Sequence, residues 1–253
     1  MALLALVLTT AVAAPIASAD SSDYVAGDHA QVLADLVDAN LSPRVVSDRG
    51  ITAIFESDVP VAARTVVGEV LAEFEQVFVL PAGSVQIAVG WTEMDSLGIG
   101  GPVLVRRNGT YFPAALADVR FGGHHAKGTS DGVVSMSSSQ PWYFGRSSDV
   151  PAWQYDFRSA FSHELVHALG FTVDTTIDSA GRRVLSGRTP QMDRSLVSGG
   201  RALTELSATG QANAFAKDEV WLDVSGGRLF PLHSDGVTGV SHIGHAISAV
   251  DSE

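Results

Sequence analysis

Alternating hydrophobic and polar residues predict a strand–helix–strand unit in the first half of the chain. The stretch "ITAIFES" from Ile51 alternates as a half-buried strand does, and "VQIAVGW" from Val85 predicts a second strand. Between them, apolar residues recur every three or four positions over 63–78, with a proline on either side, which is typical of a helix. A third strand is predicted in "PVLVRR" from Pro102.

The hydrophobic pattern is weaker over 108–150, which is rich in glycine and serine, and there "GVVSMSS" from Gly132 predicts one short strand. A further helix follows "WQYD" and contains "HELVHALGF". Beyond Gly170 the regular patterns fade, and "TVDTTIDSAGRR" predicts a hairpin or a loop. We therefore predict an α+β protein that divides near Gly170.

The helix around "HELVHALGF" has a clear beginning and end. Asp156 is a good N-cap, because its carboxylate can accept the backbone N–H of Arg158 or Ser159. Gly170 suits the residue of positive φ that ends a helix. The apolar positions of its inward face are Phe157, Ala160, Phe161, Leu165, Ala168 and Leu169.

The same helix carries the candidate chemistry. His163 and His167 are four residues apart, so both imidazoles project from one face and can bind one metal ion. Glu164 adjoins the first histidine and can take a proton from a water on that ion and pass it to a leaving amine. This spacing predicts a catalytic zinc site. The alternative is a core helix whose histidines form internal hydrogen bonds.

Composition limits the kind of partner and the kind of metal ligand. The net charge is −12 over 253 residues, so neither a nucleic acid nor an anionic membrane surface is expected to bind. The chain has no cysteine, so any metal site must be built from histidine, aspartate and glutamate.

The first 19 residues are uncharged and end in Ala-Ser-Ala, which predicts a signal peptide over 1–19 and a secreted protein. The apolar part is short for a membrane span. Residues 20–47 are expected to form a leader or pro-segment.

The third zinc ligand stays open on the residues alone. The compact metzincin pattern places a histidine six residues after the second one, but Val173 stands there. Weaker candidates are Asp174, Glu205 and Glu219. The remaining histidines in the last part of the chain are His233, His242 and His245.

At this point the chain resembles a known family. The stretch "WYFGRSSDVPAWQYDFRSAFSHELVHALGF" is similar to the approach to the active site in secreted bacterial zinc metallopeptidases of the leishmanolysin-like kind, which are metzincins with a distant third histidine. "ITAIFESDVPVAARTVVGEVLAEF", "VQIAVGW", "TPQMDRSLV" and "GVTGVSHIG" extend the resemblance over about 48–245.

The resemblance implies a zincin-like fold and a zinc ion on His163, His167 and His242, with Glu164 as the general base. It implies a mixed twisted sheet with the active-site helix over 48–170 and an irregular C-terminal subdomain over 171–253. No methionine follows His242, where this family has a methionine turn. We therefore expect a chain that is truncated at its C-terminus.

The function expected from these observations is zinc-dependent cleavage of peptide bonds in a protein or peptide substrate. A zincin-fold binding or adhesion module at the cell surface, without turnover, is the alternative. A hydrolase of non-peptide amides would use the same ligands.

Three further features have two interpretations each. His124 and His125 in "FGGHHAKG" could form a second metal site or lie on the surface. The aromatic stretch 142–144 could line a substrate cleft or pack in the core. Asp174 and Asp178 could bind calcium, although the spacing of a recognised calcium loop is absent.

Overall fold

The computed structural model describes residues 50–77, 85–108, 110–126, 130–146, 149–173, 175–187, 190–224, 228–234 and 240–242. The segments predicted as a signal peptide and a leader lie outside these residues. The chain divides into two compact units. The first comprises the described residues up to Val105 together with Pro113–Gly170, and the second comprises Arg106–Phe112 and the described residues from Phe171 onward.

In chain order the elements up to Gly170 are β1 (Ile51–Phe55), α1 (Val61–Val77), β2 (Val85–Thr92), β3 (Gly98–Pro102), β4 (Leu104–Arg107), β5 (Thr110–Pro113), α2 (Ala114–Phe121), β6 (Gly132–Ser137), β7 (Trp142–Tyr143), β8 (Tyr155–Asp156) and α3 (Phe157–Ala168). The elements after Gly170 are β9 (Thr175–Ile177), β10 (Arg183–Leu185), α4 (Pro190–Asp193), β11 (Leu196–Ser198), β12 (Arg201–Ala202), a 3-10 helix (Leu203–Glu205), α5 (Ala208–Ala216), β13 (Val220–Val224), β14 (Arg228–Ser234) and β15 (Val240–His242).

A mixed four-stranded sheet forms the centre of the first unit, in the order β1-β2-β6-β3. The first three strands are parallel, and β3 runs antiparallel to β6 at the edge, with Gly98 opposite Met136. Helices α1 and α3 contact each other and share one hydrophobic core with the sheet. The burial of their apolar faces is the main driving force for this arrangement.

The strands predicted at β1, β2 and β6 and the helices predicted at α1 and α3 are confirmed. The strand predicted from Pro102 begins at Leu104 instead and pairs with β5, outside the four-stranded sheet. The edge of that sheet is the glycine-rich β3, and α2 was not predicted at all. The short α2 lies between Pro113 and Gly122 in a region whose composition resembles a loop.

The second unit is more regular than the irregular subdomain that we expected. Five antiparallel strands form a sheet in the order β12-β11-β13-β14-β15, and β9 and β10 form the predicted hairpin. Its own hydrophobic core includes Leu196, Phe215 and Leu222. The whole described chain is therefore α+β, as predicted. Among the described residues, no helix is both long enough and apolar enough to cross a membrane.

Candidate functional site

Helix α3 begins and ends as its sequence predicts. The Asp156 carboxylate accepts the backbone N–H of Arg158 at 3.2 Å and the hydroxyl of Ser159 at 2.5 Å, which satisfies a donor that the helix itself cannot. Gly170 has a φ of 109° and donates its N–H to the carbonyl of His167 at 2.9 Å. The buried residues of the helix are Phe157, Phe161, Leu165, His167 and Ala168.

The imidazoles of His163 and His167 meet on one side of α3. Their Nε2 atoms are 3.1 Å apart. His167 is buried and His163 is exposed, so the pair lies where the helix surface meets solvent. Two ligands bonded tetrahedrally to zinc at about 2.0 Å lie about 3.3 Å apart. The two nitrogens therefore fit a single ion, and at least one further ligand is needed.

The carboxyl group of Glu164 contacts the edge strand β3. It accepts the backbone N–H of Gly100, and burial raises its pKa to about 8 despite that hydrogen bond. A cation on the neighbouring histidines would favour the charged carboxylate and bring the pKa down again.

Two glycines of β3 allow α3 to lie directly against this strand. A Cβ added at Gly100 would be 2.7 Å from the carbonyl carbon of Glu164 and 2.9 Å from its Cα. A Cβ added at Gly98 would be 3.1 Å from the Glu164 Cγ. Sequence reasoning missed this role of β3. The signal that could have found it is glycine at alternate positions, which leaves one face of a strand without side chains.

The candidates for a third ligand lie in the second unit or outside the described residues. His242 in β15 is the cross-strand partner of His233 in β14, so the backbone brings these two candidates together. Their side chains, like all of Asp174 and His245, lie outside the described part of the chain. Val173 is buried in the core of the second unit. The assignment of His242 stays a prediction.

A second group of possible ligands lies in the first unit. Ligand atoms of Asp118, His124 and Asp131 all lie within 4.8 Å of one another, so these described residues can hold a metal ion. Burial raises the pKa of Asp131 to about 7; the N–H of Gln86 opposes this shift, and the charge of Asp118 adds to it. The sequence pointed to His124 and His125 but not to the two aspartates.

The aromatic stretch after β6 packs in the core. Trp142 is buried, and its indole N–H donates to the carbonyl of Ser137 at 2.6 Å. Phe144 packs against the same core, with its ring 5.1 Å from that of Phe157. Of the two interpretations of this stretch, the structure favours core packing for these two side chains.

Asp178 belongs to the turn of the β9–β10 hairpin. Its carboxylate accepts the backbone N–H groups of Ala180 and Arg182 and pairs with the Arg182 guanidinium at 2.7 Å. These bonds give Asp178 a structural role in the turn, so calcium is not needed to explain it.

The described residues form an α+β protein in which the Nε2 atoms of two histidines meet on one side of α3. No family model matches the chain, and no curated protein or solved structure shows significant similarity to it. Its function must therefore be inferred from the arrangement of its own residues.

Proposed function

We propose that the chain is a secreted, zinc-dependent endopeptidase and that its first unit has a zincin-like fold. The observation that carries this proposal is the 3.1 Å separation of the Nε2 atoms of His163 and His167, with Glu164 between them in sequence. The mixed sheet supports it further, because its antiparallel edge strand β3 packs on the helix that bears all three residues.

In this proposal Glu164 is the general base. It takes a proton from the attacking water and delivers it to the amine of the leaving peptide. Zinc, when bound, would polarise the scissile carbonyl and lower the pKa of water. The Gly100 N–H holds the Glu164 carboxyl in place, and this orientation contributes to the rate because a misplaced base transfers a proton poorly.

The edge strand offers a place for the substrate. Among the described strands β3 pairs with β6 alone, so its other side can add an extended peptide as a further strand. The Gly100 N–H that contacts Glu164 is directed away from β6. A peptide bound along this edge would therefore have its backbone beside the base. The acidic net charge of −12 fits basic peptides better than acidic ones.

The proposal is tested by cleavage of an unfolded protein by the zinc-loaded full chain. Glu164→Gln keeps an oxygen that can accept the Gly100 N–H, but it removes the base, so cleavage should fall by about 100- to 10,000-fold. Its zinc content, measured by mass spectrometry after desalting, should equal that of the parent. The exposed Glu93 provides the control, and Glu93→Gln should cleave at the parental rate. A Glu164→Gln variant that cleaved normally would exclude this mechanism.

The contact between Glu164 and Gly100 also favours a second candidate, a zincin-fold binding module without turnover. In such a module the carboxyl would serve to fasten β3 to α3. A full chain that binds zinc at His163 and His167, yet cleaves neither unfolded proteins nor small amides, would support the module over the peptidase. Cleavage of small amides alone would indicate an amidohydrolase.

A further inference from the structure

Two aspartates are buried side by side in the first unit, on elements far apart in the sequence. Asp118 lies in α2 and is 1% exposed, and Asp131, the residue before β6, is fully buried. No described lysine or arginine forms an ion pair with either carboxylate; their partners are His124 and His125. Burying two carboxylates is costly unless a cation compensates their charge.

The loop after α2 brings His124 between the two carboxylates. Gly122 and Gly123 both have positive φ values, of 71° and 87°, which turn the chain back towards α2. His124 Nδ1 then lies 3.1 Å from Asp118 Oδ2 and 3.3 Å from Asp131 Oδ1. Ligands of one tetrahedral zinc ion are separated by about 3.3 Å, so both distances fit a shared ion.

Each carboxylate has one oxygen fixed by a hydrogen bond and the other directed at His124. Asp118 Oδ1 accepts the backbone N–H of His125 at 2.7 Å, and Asp131 Oδ2 accepts the backbone N–H of Gln86 at 2.7 Å. Asp131 Oδ1 is buried and accepts no hydrogen bond from the described residues. Carboxylates that bind metal ions commonly have this arrangement, in which the oxygen that does not bind the metal is hydrogen-bonded to the surrounding protein.

We propose that Asp118, His124 and Asp131 bind one divalent metal ion and that this ion is zinc. Two carboxylates and one imidazole suit zinc, whereas calcium takes oxygen ligands alone. Two negative charges and one divalent cation also leave the buried group electrically neutral. The site has a structural role, because it fastens the residues just after α2 to the start of β6. His124 is 36% exposed at its side chain, which leaves room for a water as the fourth ligand.

The experiment measures zinc alone, on a full chain whose helix pair has been removed. The double variant His163→Ala, His167→Ala is freed of metal by a chelator, reloaded with zinc and desalted, and its metal content is determined. We expect one zinc ion per chain in this variant. Adding either Asp131→Asn or His124→Ala should reduce the content to less than 0.1 ion per chain, as expected when binding weakens more than about 100-fold.

Glu56→Gln is the matched control, because the half-buried Glu56 carboxylate also accepts a backbone N–H, from Trp91 at 3.2 Å, but forms no ion pair with a described histidine. This variant should keep its zinc ion. Zinc should also raise the unfolding temperature of the double variant but not that of the variants that lack Asp131 or His124. Since His124 is half-exposed, its replacement tests the site without disturbing the core.

The proposal is overturned if the double variant holds no zinc, or if it holds zinc that neither substitution removes. A protonated His124 lying between two carboxylates, without any metal, would give the first of these results. The outcome is independent of the endopeptidase proposal, because the helix histidines are absent throughout. Loss of cleavage by Glu164→Gln in the parent chain bears on that proposal alone.

Discussion

Replacing Gly100 with alanine should destabilise the first unit and displace Glu164. The new Cβ would overlap the carbonyl oxygen of Glu164 and would lie 2.7 Å from the carbonyl carbon and 2.9 Å from the Cα of that residue. Two carbon atoms are comfortable at about 3.5 Å or more, and the contact with the oxygen is tighter still, so β3 and α3 would have to separate by about 1 Å. Backbone atoms stand on both sides of this contact, and no side-chain rotation can relieve it.

The magnitude follows from this geometry. Overpacking of a close contact costs about 1–3 kcal/mol, and a backbone contact belongs at the upper end of that range. Alanine also restricts the conformations of the unfolded chain, which stabilises the folded state by about 0.4–1 kcal/mol. A net loss of about 2 kcal/mol is expected, which lowers the unfolding temperature by about 4–8 °C for a protein of this size. If the endopeptidase proposal is right, a shift approaching 1 Å at the base should also reduce kcat by up to about 100-fold.

The assay is urea denaturation of the metal-free chain, followed by circular dichroism, with Gly98→Ala as the matched control. A Cβ at Gly98 would be 3.0 Å from the Met136 Sδ and 3.1 Å from both the Glu164 Cγ and the carbonyl oxygen of Ser135. Two of these atoms belong to flexible side chains that can move, and the contact with the oxygen is relieved by a few tenths of an ångström, so this variant should lose clearly less stability than Gly100→Ala. Equal stability of the Gly100→Ala variant and the parent would show that β3 does not lie directly on α3.

Two further predictions concern other contacts. Arg146 and Arg158 hydrogen-bond to Glu69 and hold the pKa of its carboxyl group below the ordinary value of 4.5. These ion pairs stabilise the folded state above pH 4.5, and the stabilisation is lost as the pH falls through the lowered pKa. Glu69→Gln should therefore lower the urea midpoint at pH 7 but not in strong acid, and a loss that persisted in acid would contradict the ion-pair explanation. Ser207 caps α5 by accepting the Gly210 N–H at 3.2 Å, so Ser207→Ala should cost about 1 kcal/mol in the same denaturation assay, and an unchanged midpoint would refute the cap.

The elements that could be predicted from the sequence are those whose own pattern determines them. Strands β1 and β2 alternate, and α1 and α3 repeat apolar residues at helical spacing. The buried faces of the two helices follow from that spacing. The two strands, by contrast, are buried on both faces rather than half-buried as alternation predicts. Strand β3 could not be predicted in this way, because its sequence GIGGP has almost no strand propensity. It is a strand because β6 provides its hydrogen bonds and α3 requires a neighbour without side chains.

The same distinction applies to the two groups of candidate ligands. His163 and His167 could be paired from the sequence, because helical spacing alone brings residues four apart together. Asp118 and Asp131 are 13 residues apart, on a helix and at the start of a strand. They come together only because α2 packs beside β2 and the chain after α2 turns back at His124. No local sequence pattern predicts a contact between residues on such separate elements.

The positions of Asp131 and of the Glu164 carboxyl group both depend on the pairing of β3 with β6. Asp131 comes directly before β6; its carbonyl accepts the N–H of Val103, just after β3, and its own N–H donates to the carbonyl of Gln86 in β2. Within that pairing Gly100 lies opposite Val134 and holds Glu164. An ion that fixed Asp131 would therefore fix the end of the strand pair whose register places Gly100. A shift of the β3–β6 register by one residue would turn Gly100 away from Glu164. An ion bound at the buried aspartates would therefore also help to hold the base of the proposed peptidase in position.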